Sequence, residues 1–176
     1  MRSLAAFISE TKPDVVACCD VDAGDALATA TRFDLEWVYR GAQALLWSRR
    51  IVASDVHEFY LPAAPLRAFE RRGLLRVDGR CGDGALHVFA TSCATDRSGI
   101  RDLRFTRTML RDASVPALLL IAMPKTAIGF GDLGMQTVDS PASGDLAIAA
   151  RGFELAFVNA SGPQAGLGST LVVRAS

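Results

Sequence analysis

The sequence predicts an α/β or layered α+β domain, and three observations carry that expectation. Short helical patterns alternate with apolar runs along the chain, which is the rhythm of layered folds. Apolar residues make up 50% of the 176 positions and the mean hydropathy is +0.24, enough for one sizeable core in one domain over residues 1–176. No internal repeat or low-complexity tract interrupts the pattern.

Leu4, Ala5, Phe7 and Ile8 line one face of a short helix, which Lys12-Pro13 ends because proline disfavours helical geometry in the residue before it. Asp14 to Val21 reads as a strand. Ala23 to Arg32 is small and helix-permissive, with Asp22 placed to cap it. Strands follow at Leu35 to Tyr39, Ala44 to Ser48 and Val52 to Tyr60, the last alternating apolar and polar residues. Leu74 to Val77 and Ala85 to Thr91 flank residues 78–84, whose glycines permit the positive backbone angles of a hairpin. Ile100 to Arg111 places Leu103, Met109 and Leu110 among arginines, an amphipathic helix. Ala117 to Met123 reads as a buried strand, and Lys125 to Asp145, rich in Gly, Ser, Asp and Pro, as an extended loop. Phe153 to Asn159 and Thr170 to Arg174 complete the chain as two strands.

The 19 basic and 19 acidic side chains cancel, so no long-range field gathers phosphate backbones, and duplex-wide nucleic-acid binding is not expected. The longest apolar stretch, Val115 to Pro124, is about half of the ~20 residues that a membrane-spanning helix needs, so no membrane partner is expected. The opening MRSLAAFISETKP lacks the charged, apolar and cleavage regions of a signal peptide, which predicts a cytoplasmic protein. Cys18, Cys19, Cys81 and Cys93 have neither CxxC spacing nor a regular framework and read as small hydrophobes filling buried space. His57 and His87 fall within strand patterns, as surface or hydrogen-bonded core residues. Arginines between positions 97 and 111 interleave with Asp96, Asp102 and Asp112, a solvated and salt-bridged face. Gly129-Phe130-Gly131 and residues 162–168 lack the strand-turn-helix context of a phosphate-binding loop.

Several segments carry a family resemblance. KPDVVACCDVD, residues 12–22, is similar to KPDVVALQEVD, and GAQALLWSRRI, residues 41–51, to G-x-A-I-L-S-R-x-P-I. ALHVFATS (85–92) stands where a strand ends in Thr-His, and PALLLIAMP (116–124) where P-V-L-L-x-G-D-F-N occurs. RGFELAFVN (151–159) is similar to R-x-I-D-Y-I-F-V, and GLGSTLVV (166–173) lies where S-D-H-x-P-L-V-V closes the chain. In this order the segments resemble the endonuclease/exonuclease/phosphatase superfamily, the DNase I-like Mg-dependent phosphodiesterases and phosphomonoesterases. The resemblance implies an α/β four-layer sandwich: two mixed β-sheets packed face to face with helices outside. The family's first strand, with its active-site asparagine, is expected to be missing, since the chain starts in the helix after it.

The chemistry of the family does not accompany the pattern. That chemistry pairs a carboxylate-held Mg ion with an Asp-His pair that activates water. The metal-ligand glutamate is matched by Asp20, Thr-His by Thr91-Ser92, Gly-Asp-Phe-Asn by Ile121-Ala122-Met123-Pro124, and Ser-Asp-His by Gly166-Leu167-Gly168. Removing one member of a catalytic set that works as a unit already costs orders of magnitude. The resemblance therefore implies a degenerate, catalytically inactive member with a binding or interaction role and no cofactor. Asp20 remains as a residual metal ligand, and Cys19, Asp20, Ser92 and Cys93 should meet in the former cleft, a set that could also take Zn. Two alternatives stand beside this reading. One is an Mg-dependent hydrolase of phosphoric esters rebuilt around Asp20; the other is a module for small apolar ligands in the old cleft, lined by Ser92, Ala122, Met123 and Leu167. A homodimer or protein partner is expected at the vacated strand position, because exposed edges invite another chain.

Overall fold

The structure is a computed structural model that describes residues 4–61, 73–93, 98–113, 116–122, 130–139, 146–164 and 168–175. Helix α1 (Leu4–Thr11) leads into β1 (Val15–Cys19), with Lys12 in the left-handed region before Pro13 as the helix stop. Asp22 caps α2 (Ala23–Phe33) by accepting a 2.8 Å hydrogen bond from the Asp25 N–H, and Asp34 ends it at φ 52°. The hairpin of β2 (Glu36–Arg40) and β3 (Gln43–Trp47) turns on Gly41 and Ala42, both at positive φ, the backbone that a two-residue turn requires. These strands form a three-stranded sheet in the order β1-β3-β2, antiparallel throughout.

The second sheet begins with β4 (Ile51–Tyr60), β5 (Gly73–Cys81) and β6 (Gly84–Ser92). Helix α3 (Ser98–Asp112) then carries the chain to β7 (Ala117–Ala122), which pairs with β6 in parallel, as only a crossover connection allows. A 3₁₀ turn at Gly131–Leu133 precedes β8 (Gln136–Asp139), and β9 (Leu146–Arg151) completes a mixed six-stranded sheet in the order β4-β5-β6-β7-β9-β8. Strands β10 (Leu155–Gln164) and β11 (Gly168–Ala175) form a separate antiparallel ribbon.

Period-two alternation assigns every strand residue to a layer. Val38, Leu45 and Trp47 of the small sheet pack against Leu75, Val77, Leu86, Val88 and Ala90 of the large one. The small sheet's other face, with Val16, Ala44 and Leu46, meets Ile8 of α1 and Ala26 and Ala30 of α2. The large sheet's outer face, with Leu74, Phe89, Leu119 and Ile121, is covered by Leu103 and Leu110 of α3 together with Phe130. Four layers result, helices outside and sheets within, as the resemblance implies.

Several expectations need correction. The 78–84 turn shrinks to Gly82 and Asp83, because Asp78 to Cys81 continue the ladder opposite β6. Gly79 is a packing glycine: a Cβ there would meet the Val52 carbonyl oxygen at 2.8 Å. The 125–145 loop contains the 3₁₀ turn and β8, and β9 answers to no expected strand. Only the large sheet is mixed. Asp102 is buried, with the Thr106 hydroxyl donating to its carbonyl, so it is no part of a solvated face, and the Arg107 side chain, only 15% exposed, pairs with Asp132 of the 3₁₀ turn. Among the four thiols, Cys19 and Cys81 belong to exposed residues. No helix among the described residues is long and apolar enough to cross a membrane.

The two histidines meet on the outer face of the large sheet around Asp78. Its carboxylate accepts from Arg76 at 2.6 and 2.8 Å, pairs with His87 Nδ1 at 2.5 Å and lies 3.2 Å from His57 Nε2. Burial alone pushes the Asp78 carboxyl up, but the Arg76 hydrogen bonds and the charges of His87 and Arg76 outweigh it and hold it below the usual carboxylate range. A carboxyl depressed in the folded state stabilises the fold above its unfolded value, about 4, and that contribution fades as pH falls through the folded value. The urea midpoint of the wild-type chain should therefore drop more steeply below about pH 4 than that of Asp78→Asn, which is the less stable of the two at pH 7. Parallel pH profiles for the two proteins would show that Asp78 carries no such linkage.

Candidate functional site

At one end of the sandwich the inward-facing rows turn from apolar to polar. In the small sheet, Arg40 stands opposite Gln43 and Gln43 opposite Cys19, so all three side chains project toward the large sheet. In the large sheet the same level holds Glu58 and Tyr60 of β4, Gly73 of β5, Ser92 of β6 and Ala122 of β7.

Gln43 is the junction. It is 2% exposed, and its carboxamide is oriented so that the oxygen accepts from the Ser92 N–H at 2.7 Å and the Ser92 hydroxyl at 2.5 Å, while the amide nitrogen donates to the Gly73 carbonyl at 2.7 Å. That orientation pairs each polar atom, whereas the reverse sets acceptor against acceptor. The Gly73 carbonyl also accepts from the buried Thr91 hydroxyl at 3.1 Å. Beside this junction the Arg40 guanidinium lies 3.9 Å over the Tyr60 ring and bridges to Glu58 at 2.9 Å, while its Nε is buried with no partner among the described residues. The Arg40 stem explains Gly73, where a Cβ would stand 3.1 Å from Arg40 Cγ.

Cys19 lies at the open end of the row. Its side chain shares a hydrogen bond with Ser92, yet the thiol is pushed up to about 12, first by crowding from surrounding atoms and then by Cys18 and Asp20. Its neighbour Cys18 points to the opposite face, where burial pushes the thiol up to about 11, so the two cannot serve one metal without distortion. Asp20 follows in the left-handed region at φ 57°, exposed, and the Val21 N–H returns to the Ala42 carbonyl at 3.2 Å.

The structure thus gathers Cys19, Asp20, Ser92, Cys93 and Ala122 at one rim: Ser92 pairs with Ala122 in the ladder, and the Cys93 N–H donates to the Ala122 carbonyl at 2.8 Å. Met123 and Leu167 lie outside the described residues. Sequence reasoning missed Gln43 and Arg40. The signal was present for Gln43, a polar residue in the alternating inward row Gln43, Leu45, Trp47.

Gln43→Leu keeps the volume but leaves the Ser92 N–H unpaired in a buried position, and it should lower the unfolding free energy by roughly 1–3 kcal/mol in urea titrations. A change below a few tenths would mean that the junction carries no stability. The raised Cys19 thiol should resist iodoacetamide at pH 8 despite its exposure, because the thiolate is the nucleophile; peptide mapping that finds Cys19 modified as fast as a free cysteine would contradict this assignment.

No family model matches the sequence, and no curated protein matches it. Solved structures do match. A TDP2 structure from Caenorhabditis elegans superimposes with a TM-score of 0.67 at 12% identity over 94% of this chain, which spans 63% of that one. An endonuclease/exonuclease/phosphatase family protein from Bacteroides thetaiotaomicron gives a TM-score of 0.71 at 8% identity, covering 90% of this chain and 76% of that one. The human Nocturnin catalytic domain with bound sulfate gives 0.66 at 12% identity, covering 96% and 85%. Likeness at such low identity speaks to architecture, and four layers with these structural neighbours give one conclusion: the chain has the DNase I-like fold seen in proteins of the endonuclease/exonuclease/phosphatase superfamily.

Proposed function

We propose that this chain is a DNase I-like protein that does not hydrolyse phosphoric esters and acts by binding. One observation carries the reading: the hydroxyl of Ser92, at the position where the resemblance expects an imidazole, is turned into the junction with Gln43 and Cys19 and helps to close the cleft. A group engaged in holding two sheets together is poorly placed to meet a phosphate.

The magnesium that the fold family implies does not fit the residues at this rim. Magnesium takes hard oxygen ligands in tight octahedral geometry. Around Asp20 the neighbouring side chains are a protonated thiol and an engaged hydroxyl, and no group of three His, Cys, Asp or Glu able to hold a metal occurs among the described residues.

The alternative, a metal-dependent hydrolase rebuilt around Asp20, draws on the exposed carboxylate at the rim and on neighbours described as a catalytic domain and as a complex with a single-strand DNA product. The two readings part in one assay. With Mg or Mn and bis(p-nitrophenyl) phosphate, the purified chain should give no turnover above buffer, and Asp20→Ala should leave that rate unchanged. Turnover that Asp20→Ala abolishes would overturn the proposal in favour of the hydrolase.

A further inference from the structure

The inner face of the six-stranded sheet is covered by two separate pieces. The three-stranded sheet lies over β5 and β6, with β1 above β6, while the ribbon lies farther along, with β11 above β9 and β10 beside β8. Strand β7 runs between them. Although β7 is interior to its sheet, only its outward row, Ala117, Leu119 and Ile121, is buried; the inward row, Leu118, Leu120 and Ala122, stays partly exposed. Val15 and Ala17 of β1, which face the same trough, are partly exposed as well. Neighbouring strands lie about 4.8 Å apart, so the step from β6 across β7 to β9 spans about 9.6 Å, and the layer above it has room for one strand between β1 and β11.

The edge of β1 that borders this slot is built for pairing. The Ser48 N–H donates to the Asp14 carbonyl at 2.8 Å, which fixes the alternation along the antiparallel β1–β3 pair. Val16 and Cys18 then bond to β3, whereas Val15, Ala17 and Cys19 turn their N–H and carbonyl groups to the slot, where no strand among the described residues meets them. The other edges of the three- and six-stranded sheets are guarded: β2 carries Glu36 and Arg40, β4 has a register shift beside Asp55 as well as Glu58, and β8 is four residues long and ends in Asp139. The β1 sequence VVACC has no charge, no proline and no bulge. Natural sheets blunt the edges that must stay free, and this one is not blunted.

We propose that the slot between β1 and β11 is completed by one extended, uncharged segment of a partner protein, added as a strand with its apolar residues on Leu118 and Leu120. A second folded copy does not suit the slot. A stable dimer buries ~1,200–2,000 Å² in total, and the wall formed by β11 stops any sheet edge after a single strand. A small apolar ligand would cover Leu118 and Leu120 but would leave the backbone groups of Val15, Ala17 and Cys19 unpaired, whereas strand addition satisfies both. The inference does not depend on the loss of hydrolysis.

The test uses the whole chain and a peptide of about seven residues alternating valine and threonine, long enough to span β1 at ~3.3 Å per residue. Hydrogen exchange followed by NMR should show the amides of Val15, Ala17 and Cys19 slowed about tenfold or more on saturation, and the same peptide N-methylated at alternate residues should give no slowing. Ala17→Pro, which removes one outward N–H and spares the pairs of Val16 and Cys18 with β3, should abolish the protection. Equal binding of the N-methylated peptide would overturn the proposal in favour of an apolar-ligand trough. Protection of the β1 amides without peptide, lost on dilution, would overturn it in favour of a dimer. Failure of the unmodified peptide to change the exchange of these amides would overturn it outright.

Discussion

Two sheets can share one core only if every second residue on each facing strand is apolar and large enough to meet its counterpart. Here that constraint falls on Val38, Leu45 and Trp47 in one sheet and on Leu75, Val77, Val88 and Ala90 in the other. Each is a strand residue whose neighbours on either side must face the opposite way, so the same alternation that builds the inner core also builds the outer contacts with α1, α2 and α3. A slip of one residue in β3 would turn Leu45 outward and Leu46 inward and would break two layers at once. The position of Gln43, Cys19 and Ser92 at a single rim follows from this register.

At that rim the core has to meet water. The Gln43 carboxamide closes the sandwich by bonding to Ser92 and to the Gly73 carbonyl, and beside it the Arg40 guanidinium pairs with Glu58 and lies over the Tyr60 ring. Buried polar groups that are fully paired hold a unique geometry, since each has much to lose by leaving its partner. The rim is therefore held by bonds that cross from one sheet to the other.

Much of this was legible in the sequence. Pro13 and Asp22 mark helix ends by known backbone chemistry, and the alternation in Val52 to Tyr60 and the apolar run of β7 announce strands without reference to anything distant. The elements that escaped are those whose stability is supplied by neighbours. Strand β8 is short and polar and exists because β9 offers it a ladder, and β9, small and rich in alanine, is held between β7 and β8. Asp78 looks like a turn residue by composition, yet Arg76, His57 and His87 from three strands converge on it and keep it in the sheet. At the rim, the residues singled out by motif position came together because motif order fixes strand order. Gln43 and Arg40 were passed over because their importance lies in cross-sheet partners that no local pattern reveals.

The two-residue turn at Gly82 and Asp83 has a consequence for how the molecule assembles. Closing it brings together two nine-residue strands at almost no loss of chain freedom, while the β6–β7 pair must close over the whole of α3. By the logarithmic dependence of closure entropy on loop length, the second step is costlier by roughly 2 kcal/mol. The β5–β6 hairpin is thus the natural seed of the large sheet, and it offers Leu75, Val77 and Val88 to the small sheet before β7 has been recruited. Residues 4–92 hold one complete interface between sheets in a near-local stretch of chain, on which everything later in the sequence can condense.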